Sequence, residues 1–224
     1  MNPDTWTAVD RYFADLLLAP DPALEAALAA SAAAGLPSIH VTPAQGKLLH
    51  LLARGVRARR ILEIGTLGGY STIWLARALP DGGRLVTLEA EPKHAEVARA
   101  NLARAGVSGV VELRLGRAQE ILPRLVAEGG GPFDLIFIDA DKAGYAEYFA
   151  WALQLSHAGT LIIADNVVRK GAVVDAASPD AAVQGVRRFN AALAQEPRVT
   201  ATVVQTVGEK GYDGFALAVV LSDH

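Results

Sequence analysis

The sequence predicts an α/β fold with a doubly wound, mostly parallel sheet, and three observations carry that prediction. From residue 60 onward, short apolar runs alternate with helical patterns, the rhythm of a parallel sheet covered by helices. Four of those runs end on an acidic residue: Glu63 just inside the first, then Glu89, Asp139 and Asp165. The last two runs, 199–207 and 215–221, are separated by Gly208, Gly211 and Gly214 with no room for a helix, so they must pair as an antiparallel hairpin.

The elements follow in order. Residues 5–18 place Trp6, Val9, Phe13, Leu16 and Leu17 at helical spacing. Pro20 and Pro22 punctuate, and Pro22 suits the first turn of a second helix that runs to Ala34 and closes at Gly35 and Pro37. Residues 38–41 read as extended. Thr42 and Pro43 form an N-cap and first helical position for a helix through Leu52. Strands are expected at 61–64, 85–88, 110–115, 133–138 and 159–164. Helices are expected after the glycines at 65–69 and over 92–105, 118–127, 143–155 and 181–194. No linker, repeat or low-complexity segment interrupts the chain, so residues 1–224 are read as a single domain. Residues 1–56 form capping helices and 57–224 the core.

Composition narrows the function classes. The chain has 224 residues, is 51% hydrophobic and carries a net charge of −3. That is ample for one large core. Cysteine is absent, which excludes disulfides, thiolate metal sites and a thiol nucleophile. No stretch approaches the ~18 apolar residues of a membrane span. The first ten residues carry acid and no basic region, unlike a secretory signal. A cytoplasmic protein with no membrane partner is the expectation. The acidic balance disfavours nucleic acid, and the basic group Arg54, Arg57, Arg59 and Arg60 reads as a solvated helix end.

The stretch from Arg60 to Ser71 is a strand, a glycine turn and a helix, the nucleoside-binding corner of an α/β sheet. Its spacing is G-x-x-G-G rather than the dinucleotide pattern G-x-G-x-x-G, and Glu63 adds a carboxylate that suits a cationic ligand better than a phosphate. Glu89, ending the next strand, stands where an acid accepts from ribose hydroxyls, which fits NAD, FAD or S-adenosylmethionine equally. Asp139 and Asp165 end two further strands. If those strands are neighbours, the pair repels unless it shares a proton or holds a cation. With Asn166 the donor set is all oxygen, suited to a hard divalent ion such as Mg²⁺.

Taken together, these residues resemble the cation-dependent, catechol-type O-methyltransferases. The matching pieces are Val41-Thr42-Pro43-Ala44-Gln45-Gly46, Leu62-Glu63-Ile64-Gly65-Thr66-Leu67-Gly68-Gly69-Tyr70-Ser71, Thr87-Leu88-Glu89, Gly116-Arg117-Ala118-Gln119-Glu120, Phe137-Ile138-Asp139-Ala140-Asp141-Lys142 and Ala164-Asp165-Asn166-Val167. They occur in family order across most of the chain. The resemblance implies a class I methyltransferase, Rossmann-like sheet of order 3-2-1-4-5-7-6 with extra N-terminal helices. It implies S-adenosyl-L-methionine as cofactor, with Val41, Glu63, Gly65, Thr66, Gly69 and Ser71 around its methionine part, Glu89 on the ribose and Ala118 at the adenine edge. It implies a divalent cation, Mg²⁺ first and Mn²⁺ or Ca²⁺ next, held by Asp139, Asp165 and Asn166. Lys142 would be the general base and Asp139 would serve both cofactor and metal. His40, Lys142, Asn166, Asn190 and Tyr212 would face the acceptor, a small aromatic diol. His40 stands where the family often has Met and reads as a wall residue. A homodimer is expected, since 5–18 carries more apolar side chains than one helix face needs.

The chemistry so implied is methyl transfer to a hydroxyl of an ortho-dihydroxy aromatic. Aligning both reactants can supply roughly 7–11 kcal/mol of the barrier. Other readings are a hydroxylated tRNA uridine as acceptor, a NAD-dependent enzyme, and a non-catalytic S-adenosylmethionine-binding module. The acidic charge counts against the first, the absent dinucleotide pattern against the second, and the intact Asp139, Lys142, Asp165, Asn166 set against the third.

Overall fold

In the computed structural model, which describes residues 2–222, the acid-terminated apolar runs become neighbours in one sheet. The strands are β1 (Arg60–Ile64), β2 (Arg84–Glu89), β3 (Val111–Leu115), β4 (Phe133–Ile138), β5 (Ser156–Asp165), β6 (Val199–Gly208) and β7 (Gly211–Val220). Their order is β3-β2-β1-β4-β5-β7-β6, as expected. β1 to β5 pair in parallel, and β7 runs antiparallel to both β5 and β6. The order in which strands are added reverses at β1, with β2 on one side and β4 on the other. The carboxyl ends there open into a crevice, the usual ligand position in such sheets.

Among the described residues, eight α-helices surround the sheet: α1 (Pro3–Leu17), α2 (Pro22–Ala33), α3 (Pro43–Gly55), α4 (Tyr70–Ala76), α5 (Pro92–Arg104), α6 (Ala118–Ala127), α7 (Tyr145–Gln154) and α8 (Ala181–Gln195). Their starts follow from capping chemistry. Thr42 accepts from the Gln45 N–H before Pro43, and Asp21 accepts from Ala23 and Leu24 before Pro22. Alternation along the central strands sends Leu62, Ile64, Ile136 and Ile138 into the core beneath α6–α8. It sends Ile61, Leu85, Leu135 and Phe137 into the core beneath α2–α5. Among the described residues, no helix is long and apolar enough to cross a membrane.

Several expected bounds move. Residues 38–41 form bends rather than a strand. The helix expected from 143 opens with a separate 3₁₀ turn at Lys142–Gly144, where the Asp141 carboxylate caps Gly144 N–H, and α7 begins at Tyr145. β5 starts at Ser156, and a second 3₁₀ segment, Arg169–Val174, has no counterpart in the sequence reading. The final hairpin is tighter than expected: Gly208 pairs with Gly211, so Gly211 and Gly214 lie inside β7 rather than in the turn.

Candidate active site

Gly65 follows β1 with φ +102°, and a Cβ there would lie 2.0 Å from the Asp139 carbonyl oxygen. Only glycine lets the ends of β1 and β4 come this close. The turn beyond it is held by Glu89. Its Oε2 accepts from Leu67 N at 2.7 Å and Thr66 N at 3.2 Å, while Oε1 accepts from Glu91 N at 2.9 Å. A carboxylate offers about four lone-pair positions. Glu89 therefore holds the backbone of the turn while also bordering the crevice.

Below the turn, Glu63 is fully buried and outside the crevice lining. It accepts from Thr72 Oγ1 at 2.5 Å, Thr87 Oγ1 at 2.6 Å and Ser71 Oγ at 2.7 Å. Burial pushes its carboxyl up to about 7, against those hydrogen bonds, and the Asp139 charge adds to the rise. Glu63 itself thus stands off the lining. The residue sits on the inward face of β1 and reaches the crevice through Ser71, which does line it. Gly69 and Asn190 also stand off the lining. Gly69, at φ +83°, caps α4 and faces Ala98 of α5. The buried Oδ1 of Asn190, on α8, has no hydrogen-bond partner among the described residues.

Two spaces open at the carboxyl ends of the strands. The first, of about 620 Å³, is lined by Gly65, Thr66, Ser71, Glu89, Ala118, Asp139 and Lys142 among others. The second, of about 610 Å³, is lined by Gln45, Asp165, Tyr212 and the β6–β7 turn. They meet at Ile39, His40, Val41, Asn166 and Arg169, which border both. The residues expected to hold a nucleoside, donors for a cation and the base are therefore brought to one junction.

At that junction Lys142 Nζ donates to Asp139 Oδ1 at 2.8 Å and lies 2.6 Å from Tyr145 Oη. Tyr145 is fully buried, and its hydroxyl touches the carbonyls of Ile138 at 3.1 Å and Asp165 at 3.0 Å, bridging β4 and β5. Burial, and then the charges of Asp139 and Asp165, raise its phenol far above the ordinary value, so it stays protonated. Asp165 accepts from Gln45 Nε2 at 2.9 Å and from Asn166 N–H at 2.7 Å. Its burial, and next the charge of Asp139, raise its carboxyl as well. A buried carboxylate, Asp165, whose ionisation the Asp139 charge opposes, makes with Asp139 and Asn166 a donor set suited to a hard cation. Among the described residues, no three His, Cys, Asp or Glu side chains gather into a metal group. The third donor here is the amide of Asn166, held in the left-handed region at φ 58°.

The sequence reading missed Tyr145, Gln45, Arg169 and Lys210. Tyr145 stands one helical turn past Lys142, so that spacing could have found it. Lys210 sits in the hairpin turn, where no local pattern marks it.

Comparison with known proteins adds the family. A pattern described as O-methyltransferase matches residues 20–219. The chain is 59% identical to a catechol O-methyltransferase of Niastella koreensis, over 98% of this chain and 100% of that one. Its fold matches an O-methyltransferase from Bacillus cereus solved in complex with SAH, at TM-score 0.97 and 57% identity, covering 98% of this chain and 100% of that one. It also matches the O-methyltransferase TomG from Streptomyces achromogenes, involved in tomaymycin synthesis and solved with SAM. There the TM-score is 0.96 and the identity 56%, with 99% and 100% of the two chains covered. On sequence and fold, the chain belongs to the O-methyltransferase family.

Proposed function

We propose that this protein transfers the methyl group of S-adenosylmethionine to one hydroxyl of an ortho-dihydroxy aromatic, with a divalent cation. The observation that carries the reading is the junction of the two spaces, where Lys142, Asp139 and Asn166 stand together with Asp165. The name of the Niastella relative and the bound SAH and SAM of the two structures support it.

S-adenosylmethionine brings a methyl already activated on a sulfonium, so the chain has mainly to align and deprotonate. Ser71, Glu89 and Ala118 border the first space and orient the donor. The acceptor enters the second. Its oxygen forms a bond to the methyl carbon as the sulfur–carbon bond breaks, and its proton passes to Lys142 Nζ. Lys142 accepts that proton as the neutral amine. Tyr145 fixes the amine at the junction whichever form it takes. Asp139, Asp165 and Asn166 would hold the cation, most simply Mg²⁺. It supplies charge that fixes a chelating diol and favours its phenolate.

A screen of ortho-dihydroxy aromatics with S-adenosylmethionine, with and without EDTA, tests this. Turnover should fail in EDTA, return with Mg²⁺ or Mn²⁺, and fail in Asp165→Ala at any cation concentration tried. Full activity in EDTA would remove the cation from the reading. A tRNA acceptor finds no support in the structure. Arg59 and Arg60 border a groove with Arg84 and Arg114 at the opposite, amino-terminal edge of the strands, away from the crevice.

A further inference from the structure

The second space holds more positive charge than the reaction uses. Arg169, Lys170 and Lys210 all line it. None of the three forms an ion pair among the described residues. The carboxylates of that space are already engaged. Asp10 accepts from Glu209 N–H at 2.8 Å. Asp213 accepts from Val168, Arg169 and Gly214 N–H at 3.0, 2.9 and 3.0 Å. Asp165 faces Gln45 and Asn166.

The cations are also placed at a cost. Arg169, Lys170 and Gly171 all take left-handed backbone, with φ of 54°, 55° and 88°. Two consecutive non-glycine residues there cost on the order of 1 kcal/mol each or more and need local support. Asp213 provides it by holding the Val168 and Arg169 N–H groups. Arg169 borders both spaces, and its buried Nε is left without a hydrogen-bond partner among the described residues. From the facing hairpin, Lys210 Nζ contacts the His40 carbonyl and lies 3.2 Å from His40 Nδ1. Three cationic side chains lining one space without an ion pair are a cradle for an anion.

We infer that Arg169, Lys170 and Lys210 form a subsite for an anionic ring substituent. The acceptor class is then an ortho-dihydroxy aromatic bearing a carboxylate on a short side chain, rather than a neutral or cationic diol. This rests on the diol methylation proposed above. With the hydroxyls turned to Lys142 and Asn166, the side chain extends toward the β6–β7 turn, and its carboxylate replaces water around Lys210.

The test compares three acceptors of one shape: ortho-dihydroxyphenyl propanoate, its primary amide and the corresponding amine. The saturated chain insulates the ring from the change of charge. With saturating S-adenosylmethionine and Mg²⁺, kcat/KM should favour the acid over the amide by roughly tenfold or more, mainly through KM. The amine should be worst. In Lys210→Gln, which keeps a donor for the His40 carbonyl and loses the charge, the acid-to-amide ratio should fall toward one. Lys210→Glu should invert it toward the amine. If Lys210 only tethers the 38–42 loop, acid and amide will fall together and the ratio will stay put, which overturns the subsite. Equal use of acid and amide by the wild type overturns it too. Methylation of none of the three would instead sink the diol reading, and the subsite with it.

Discussion

Lys142 and Tyr145 form a pair whose members should fail differently. Lys142→Ala removes the proton acceptor and leaves Asp139, Asp165 and Asn166 in place. Its kcat should drop on the order of 10²–10⁴-fold, with cofactor affinity by calorimetry unchanged and part of the rate regained at high pH. Tyr145→Phe keeps the base and removes its 2.6 Å partner, along with the bridge to the Ile138 and Asp165 carbonyls. A smaller loss, on the order of tenfold in kcat with KM nearly constant, is expected for one buried hydrogen-bonding group. An unchanged rate in Lys142→Ala would show that another group takes the proton. Glu63 gives a prediction of opposite kind, in stability. Its folded carboxyl is raised from 4.5 to about 7, so the folded state binds a proton that the unfolded chain releases. Stability of the ligand-free protein should therefore fall as pH rises from about 4.5 to about 7, by on the order of 3 kcal/mol from this group. Asp165 shifts the same way, so the diagnostic is a difference. Glu63→Gln should flatten the decline between pH 5 and 7 in urea titrations, and parallel curves for the two proteins would refute the assignment. Glu89 has a structural role besides the expected ribose contact. Because its oxygens accept from Thr66, Leu67 and Glu91, Glu89→Ala should lower thermal stability as well as cofactor affinity.

The turn carrying Lys142 is positioned by α8. A Cβ on Gly185 would lie 2.2 Å from the Lys142 carbonyl oxygen and 2.7 Å from Ala143 Cα, backbone that cannot swing aside. Gly185→Ala should cost about 1–3 kcal/mol through overpacking and displace the base. It should also lower kcat more than a distant variant of equal stability cost, such as Leu193→Ala, does. Equal rates in the two would show that the turn absorbs the shift. The elements around this contact show what could be read in advance. β1, β2, β4 and β5 were legible because each is an apolar run closed by an acid, and buried parallel strands have that signature. α6 was legible to the residue, at Ala118–Ala127, because its apolar face is regular. The 3₁₀ segment Arg169–Val174 was not, since its shape comes from Asp213, 44 positions away at Arg169. The inward turn of Glu63 was also hidden. The sequence places it beside the glycine corner, but strand alternation and Thr87 of the neighbouring strand decide which way it faces. Residues 38–41 join no strand, and His40 there contacts Lys210 of the hairpin instead.

At the scale of the molecule, one surface is too apolar to be explained by the monomer. α1 buries none of its residues, and Val9, Tyr12, Phe13, Leu16 and Leu17 remain 48–68% exposed. Beside it lies β6, an edge strand with Val203, Val204 and Val207 exposed, 40–51%. A bare hydrophobic edge is an aggregation hazard unless covered, and continuous apolar patches of this kind mark association surfaces. A homodimer closed across α1 and β6 would cover both. Asp10 ties the same helix to the β6–β7 turn through Glu209 N–H, and that turn borders the second space. Dimerisation would therefore steady the hairpin that carries Lys210. The wild type should sediment at about twice its 23.5 kDa chain mass. Charges introduced by Phe13→Glu with Val204→Glu should yield a monomer with an unchanged far-ultraviolet spectrum, because neither side chain belongs to a buried core. That monomer should show a raised KM for the acceptor with cofactor affinity intact, since the hairpin lines the second space and not the first. A wild-type monomer across micromolar concentrations would contradict the interface, and a monomeric variant with unaltered KM would break its link to the site.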